Sequence, residues 1–179
     1  MILCIAPDEG MARTFRAVAG EFNEKIVVER GLLEDAIPIA RSYEEESDVI
    51  VSRGGTVLVM RNAGIPTPIV ELQVTAKDLA QALEKARALT RKDEYRIGVM
   101  TFSNMTQQLK DFLPFFRLNL RLYELGIDSN LDEAIRLAVA DGMDVLLGGV
   151  ITSKVASNRT VPDRKTTRLN SSPETTAGM

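Results

Sequence analysis

The chain has 179 residues, 45% of them hydrophobic and 26% charged, with a formal net charge of −3, the balance of an ordinary globular protein of one domain or two small lobes. Aromatic residues make up 5% and tryptophan is absent, which argues against nucleic-acid binding by base stacking. Histidine is absent too, which excludes a Ser-His-Asp triad, a His-ligated zinc ion and an imidazole base within the chain.

ILCIA (2–6) is a short apolar run closed by Pro7-Asp8 and predicts a buried strand. Its N-terminal flank lacks the basic residues of a signal peptide. Cys4, the single cysteine, excludes an internal disulfide, fits a reducing cytoplasm and is expected as a small core residue. Met11, Phe15, Val18 and Phe22 recur on one helical face. KIVVE (25–29) predicts a second strand. Leu33, Ala36, Ile37 and Ala40 give another helical stripe, in which Pro38 predicts a kink or a late start. DVIVS (48–52) predicts a third strand, followed by Arg53-Gly54-Gly55-Thr56 and a short helix. PIVELQV (68–74) predicts a fourth.

Thr75 and Asp78 are spaced as a capping box. They open a helix with Leu79, Leu83, Ala86 and Leu89 on one face, and the charged stretch 91–94 ends it. The pattern then restarts with strand RIGVMTF (96–102), a helix marked by Met105, Leu109, Phe112 and Phe116, strand LNLRLYEL (118–125), a helix marked by Leu131, Ile135 and Ala138, and strand MDVLLGG (143–149). No apolar run is long enough to cross a membrane. LEDAIPIAR (33–41) matches LDEAIRLAV (131–139), and DVIV (48–51) matches DVLL (144–147), each followed by a Gly pair. Alternating strands and helices imply a parallel α/β sheet. The repeat predicts two similar lobes: 1–75, then a bridging helix and connection over 76–94, then 95–151.

Ligands of parallel α/β sheets collect outside the carboxyl ends of the strands. There Ser52, Arg53, Gly54, Gly55 and Thr56 offer a Gly-rich turn, a helix N-terminus, a hydroxyl that can cap the helix and a guanidinium that matches a carboxylate or phosphate. Gly148 and Gly149 occupy the matching turn. Ser103 and Asn104 stand at the strand-to-helix turn where the first half has Pro7-Asp8. Glu71 is polar in an apolar strand, and either faces the cleft, pairs with Arg53 or is an exposed strand position. Plain alternatives stand beside each site: tight turns for the Gly pairs, a solvated side chain for Arg53, helix caps for Ser103 and Asn104. A cleft between the lobes lined by these residues suits a small carboxylate or phosphate. Neither GxxxxGK[ST] nor GxGxxG is present, so no nucleotide cofactor and no metal is expected.

SRGGTVLVMRNAGIPTPIVELQVTAKDLAQAL (52–83) resembles the N-terminal sensor domain of PrpR-type activators, the propionate-catabolism regulators. The resemblance is carried by SRGGT, Ile65-Pro66, Pro68-Ile69-Val70-Glu71-Leu72 and Asp78-Leu79 through Leu83, within residues 1–150. It implies a two-lobed chelatase-like or periplasmic-binding-like fold, binding of a small carboxylate such as 2-methylcitrate, and no catalysis. It implies as partners an AAA+ ATPase of the sigma-54 class and a helix-turn-helix domain in the full-length protein, with cytoplasmic location and homo-oligomerisation open. A two-lobed lyase or isomerase acting on a carboxylate or phosphate is the rival reading, and an acidic interaction module is a third.

Residues 152–179 depart from the family. They carry five basic and two acidic side chains, are rich in Ser and Thr, and lack periodicity, so they predict a disordered tail and a second lobe one strand short. RKTTRLNSS (164–172) resembles translated sequencing-adapter sequence, which points to a non-native tail, a genuine flexible tail being the alternative.

Overall fold

The computed structural model describes residues 1–90, 94–115, 120–150, 152 and 165–168. The expected helix position Phe116, the start of the strand predicted from 118, and most of the tail lie outside them. Met1–Leu72 form one compact unit, and the described residues of Gln73–Asn170 form another.

The first unit runs β1 (Ile2–Ala6), α1 (Glu9–Ala19), β2 (Ile26–Arg30), α2 (Ala36–Ser42), β3 (Val49–Ser52), α3 (Gly55–Asn62) and β4 (Ile69–Glu71). Its strands lie in the order β2-β1-β3-β4, all parallel. Parallel strands need crossovers, and the helices supply them. Asp8 caps α1 by accepting the Met11 amide at 2.9 Å. Pro38 delays α2: a 3-10 turn at Leu33–Asp35 precedes it, and the α-helix begins at Ala36. Leu3, Ile5 and Ile50 bury one face of the sheet against Ala36 and Ala40 of α2 and Met60 of α3. On the other face Ala6 and Val28 pack against Met11, Ala12 and Phe15 of α1. Cys4 lies in this sheet as a free, buried thiol, and burial pushes its pKa up.

The second unit runs α4 (Ala76–Thr90), β5 (Ile97–Phe102), α5 (Ser103–Phe112), β6 (Leu120–Leu125), α6 (Leu131–Ala140), β7 (Val145–Gly148) and β8 (Lys165–Arg168). Its parallel order, β6-β5-β7-β8, is that of the first sheet. The capping box forms: the Asp78 amide reaches the Thr75 hydroxyl at 3.2 Å, and the Thr75 amide reaches the Asp78 carboxylate at 2.9 Å. Expected as a bridge, α4 instead packs Leu79, Ala82, Leu83 and Ala86 onto Ile97, Val99, Val145 and Leu147 and so belongs to the second unit. The opposite face packs Met100, Tyr123 and Leu146 against Ile135 and Ala138 of α6. Truncating a side chain as buried as Leu147 costs about 2–5 kcal/mol.

The second sheet is not a strand short. Lys165–Arg168 pair with Val145–Gly148 as β8, inside the stretch expected to lack structure. Composition there pointed to solvated chain, but the β-branched pair Thr166-Thr167 suits a strand wherever a parallel partner offers backbone groups.

The repeat extends to side chains. Tyr43, the residue that closes α2, donates its hydroxyl to Glu29 on β2 at 2.8 Å. In the second unit Asp141 closes α6 and accepts from Tyr123 on β6 at 2.7 Å. Register makes Glu29 and Tyr123 counterparts, since they pair with Ile5 and Met100 at the same step of β1 and β5. The phenol and the carboxylate have exchanged places while the bond persists.

Candidate functional site

In each sheet the chain leaves the first strand toward one neighbour and returns on its other side. The switch point therefore lies between β1 and β3, and between β5 and β7. Crevices for ligands form there, outside the carboxyl ends of the strands.

In the first unit Ser52 ends β3 and is fully buried. Its hydroxyl donates to the Ile5 carbonyl at 2.7 Å, tying the ends of β3 and β1 together across the switch point. Arg53 follows and is only 8% exposed, so it is not the solvated side chain of the plain alternative. Gly54 has φ 59° and ψ −136° and precedes α3. A side chain is strained in that conformation, so the turn from strand to helix needs glycine at this position. The Gly54 carbonyl accepts the Val57 and Leu58 amides at 3.0 and 3.2 Å. Gly55 and Thr56 form the first turn of α3, where the helix presents its positive end.

Thr56 does not cap the helix. It lies one residue inside it, buried, and its Oγ1 accepts the Leu33 amide at 3.2 Å. Leu33 has φ 52°, the one non-glycine residue with positive φ among the described residues. Nothing in the sequence around Leu33 announces this conformation, because the stripe it begins reads as ordinary helix. The hydroxyl of Thr56, from a different crossover, holds it.

Glu71 ends β4, in register with Ser52. Its carboxylate pairs with Arg61 of α3 at 2.8 Å, and Arg61 also reaches the Ile69 carbonyl at 3.4 Å. Arg61 was not among the partners that the sequence suggested. Helix geometry would have exposed it: Arg61 is the only basic residue of α3 and lies in its last turn. The Leu72 amide then donates to the Ser52 carbonyl at 2.8 Å. The first corner thus gathers Ser52, Arg53, Gly54, Gly55, Thr56 and Glu71, with Asp8, the cap of α1, two residues past the end of β1.

The second corner is built differently. Ser103 and Asn104 are the first two residues of α5, and Phe102 stands at the cap position without a side-chain cap. They are therefore not the helix caps of the plain alternative, although Asp8 is one in the first unit. Register aligns Val49 with Val145, through their partners Ile2 and Ile97. Counting forward, Ser52 corresponds to Gly148 and Thr56 to Thr152, so the two Gly pairs are two positions out of step. Gly148 is glycine for a packing reason: a β-carbon there would lie 2.4 Å from Thr152 Oγ1. Gly149 is exposed, with open space around its α-carbon. Among the described residues no cluster of three or more Cys, Asp or Glu could hold a metal ion. No helix among them is long and apolar enough to cross a membrane.

A family model described as propionate catabolism activator, PrpR_N, matches residues 21–176. No curated protein matches the chain. Among solved structures the chain is similar to an NtrC family transcriptional regulator from Clostridium acetobutylicum, with a TM-score of 0.77 and 17% identity over 95% of this chain and 87% of that one. At that identity the likeness speaks for the fold, two parallel sheets flanked by helices.

Proposed function

Since this chain belongs to the propionate catabolism activator family, PrpR_N, we propose that it is the ligand-sensing domain of a bacterial transcription activator and takes a small carboxylate, 2-methylcitrate or a close relative, at the corner Ser52–Thr56. The observation that carries this reading is Arg53, buried at the switch point immediately before a glycine with positive φ that starts a helix. A guanidinium held at a helix N-terminus matches a carboxylate in both shape and charge. Glu71 restrains the rim of the same corner through Arg61. Ser103, Asn104 and Gly149 remain candidate contacts of the second corner, and Gly148 shapes its turn.

In the full-length protein the partners are an AAA+ ATPase and a helix-turn-helix domain, in the cytoplasm. Ligand binding relieves inhibition of the ATPase, and this domain makes no nucleic-acid contact of its own. Ligand binding and turnover are separable in one experiment. Thermal unfolding is followed with citrate, with 2-methylcitrate and with inorganic phosphate. A ligand at 100 times its dissociation constant adds about 2.7 kcal/mol of stability. Arg53→Lys keeps the charge but loses the two-pronged geometry, so it should forfeit most of that gain. The reading fails if no carboxylate stabilises the protein, or if Arg53→Lys retains the full gain. Conversion of the carboxylate would point to a two-lobed lyase or isomerase instead.

A further inference from the structure

Leu33 adopts φ 52° in the turn between β2 and α2. For a leucine the left-handed region is strained, and such strain persists only where the surroundings over-determine it. Both ends of the turn are fixed. Before Leu33, the Gly31 amide donates to the Ala6 carbonyl at the end of β1 at 3.1 Å. Gly31 also lies so close to α2 that a β-carbon there would sit 2.9 Å from the Ala36 α-carbon. After Leu33, Ala36 is buried in the core. Leu32 to Asp35 span the gap. None of the four is buried, and none belongs to the core clusters described for this sheet. The turn can therefore change conformation while the sheet stays as it is. Its hold on α3 is the Thr56 hydroxyl, which accepts the Leu33 amide.

The second unit lacks this arrangement. Counting forward from the paired strands, Ile127 corresponds to Leu33 and Thr152 to Thr56. Ile127 has no positive φ, and Gly149 stands where the first unit has Arg53. The strained residue thus occurs in the unit that carries the buried arginine. Thr56 lies in the first turn of α3, where a threonine hydroxyl can accept from backbone amides of its own turn. Those amides are also the donors a carboxylate needs. With Leu33 held, the hydroxyl accepts from Leu33 and leaves them to the ligand. With Leu33 released, the hydroxyl competes for them. The two states of the turn therefore differ in what they offer a carboxylate, which is the condition for a ligand to shift one into the other. Resting on the reading of Ser52–Thr56 as a carboxylate site, we infer that Leu33 is a ligand-coupled latch, held by Thr56 when the corner is occupied and released when it is empty. Occupancy of the corner then orders a turn whose Glu34 and Asp35 are exposed.

The test reads amide exchange at Leu33 by NMR, without ligand and with saturating citrate or 2-methylcitrate, and the dissociation constants of both. Without ligand, Leu33 should exchange faster than Ile50, whose amide is bonded to the Pro68 carbonyl. Ligand should slow exchange at Leu33 by about tenfold or more. Leu33→Gly relieves the strain and keeps the amide, so it should lower the dissociation constant about threefold. In Thr56→Val, which keeps the shape without the hydroxyl, bound ligand should no longer slow exchange at Leu33. In that background Leu33→Gly should no longer tighten binding, whereas Thr56→Ser should restore both responses. Equal exchange at Leu33 and Ile50 without ligand would overturn the latch. So would a ligand that binds and leaves Leu33 exchange unchanged, or a tightening by Leu33→Gly that persists in Thr56→Val. If neither carboxylate binds the parent chain, the reading of the corner fails and the latch falls with it.

Discussion

Asp144 and Arg96 exchange two hydrogen bonds. The Arg96 amide donates to the Asp144 carboxylate at 3.0 Å, and the Asp144 amide returns a bond to the Arg96 carbonyl at 2.9 Å. Asp48 holds Met1 in the same two ways, its carboxylate taking the terminal amine. In each sheet this pair fixes the entry of the first strand against the third. Asp144→Ala should lower stability by about 1 kcal/mol, a typical value for one lost hydrogen bond, read as a shift in the urea midpoint. The ammonium beside Asp48 holds its carboxyl below the usual range. Its contribution is therefore present above the unfolded-state pKa and disappears as pH falls through the folded one. Asp48→Asn should lower stability at neutral pH, flatten the acid limb of the stability curve and leave the acid end nearly unchanged.

Gly148 and Gly149 adjoin each other and should respond oppositely. Gly148→Ala drives a methyl group into Thr152 and should cost about 1–3 kcal/mol, as overpacking does. Thr152→Gly in the same chain should recover part of the loss. Gly149→Ala points into open space and should stay within about 0.5 kcal/mol of the parent. Denaturant midpoints of the three variants check this. Any loss of carboxylate binding in Gly149→Ala would then report contact with the ligand.

Thr75 and Asp78 satisfy each other's amides at the start of α4. Thr75→Ala and Asp78→Ala should each cost about 1 kcal/mol. The double variant should cost clearly less than the sum, because either change already opens the reciprocal pair. A double-mutant cycle in urea gives the coupling directly. Additive losses would show that the two bonds act separately.

Tyr123 is buried and donates to Asp141, with Arg121 over its ring at 5.6 Å and bonded to the same carboxylate at 3.0 Å. Burial first, then the Asp141 hydrogen bond and charge, push its phenol from 10.0 up to about 12. The folded state therefore keeps this proton after the unfolded state has lost it. Stability from this group is complete below pH 10, falls between pH 10 and about 12, and changes no further above that. Absorbance of the phenolates should show Tyr123 titrating late, with Tyr43 also displaced upward by its hydrogen bond to Glu29. Tyr123→Phe should remove the step near pH 12 and its part of the alkaline loss, leaving the Tyr43 step in place.

Most of the fold was legible because both sheets are parallel and covered on their faces. ILCIA, DVIVS and RIGVMTF are then continuous apolar runs, and the helices between them carry clear stripes. The capping box and the repeat were legible for the same reason, being local patterns of residue type. The first corner was legible in composition but not in wiring. Thr56 looked like a cap, yet it serves Leu33, and Glu71 found Arg61. Those choices depend on which crossovers adjoin, and a linear pattern does not encode that. The two Gly pairs misled by similarity: Gly54 is glycine for its positive φ and Gly148 for the crowding of Thr152. Strand β8 was missed because its pairing comes from β7, not from hydrophobic content of its own.

Ser52 sits at a mechanical junction. Its hydroxyl is moored to Ile5, and its carbonyl, in the same rigid peptide plane as the Arg53 amide, holds the amide of Leu72. Leu72 closes the stretch Met1–Leu72 of the first unit. Any tilt of the plane on which Arg53 hangs must therefore strain or release its hold on Leu72, where that stretch of chain ends.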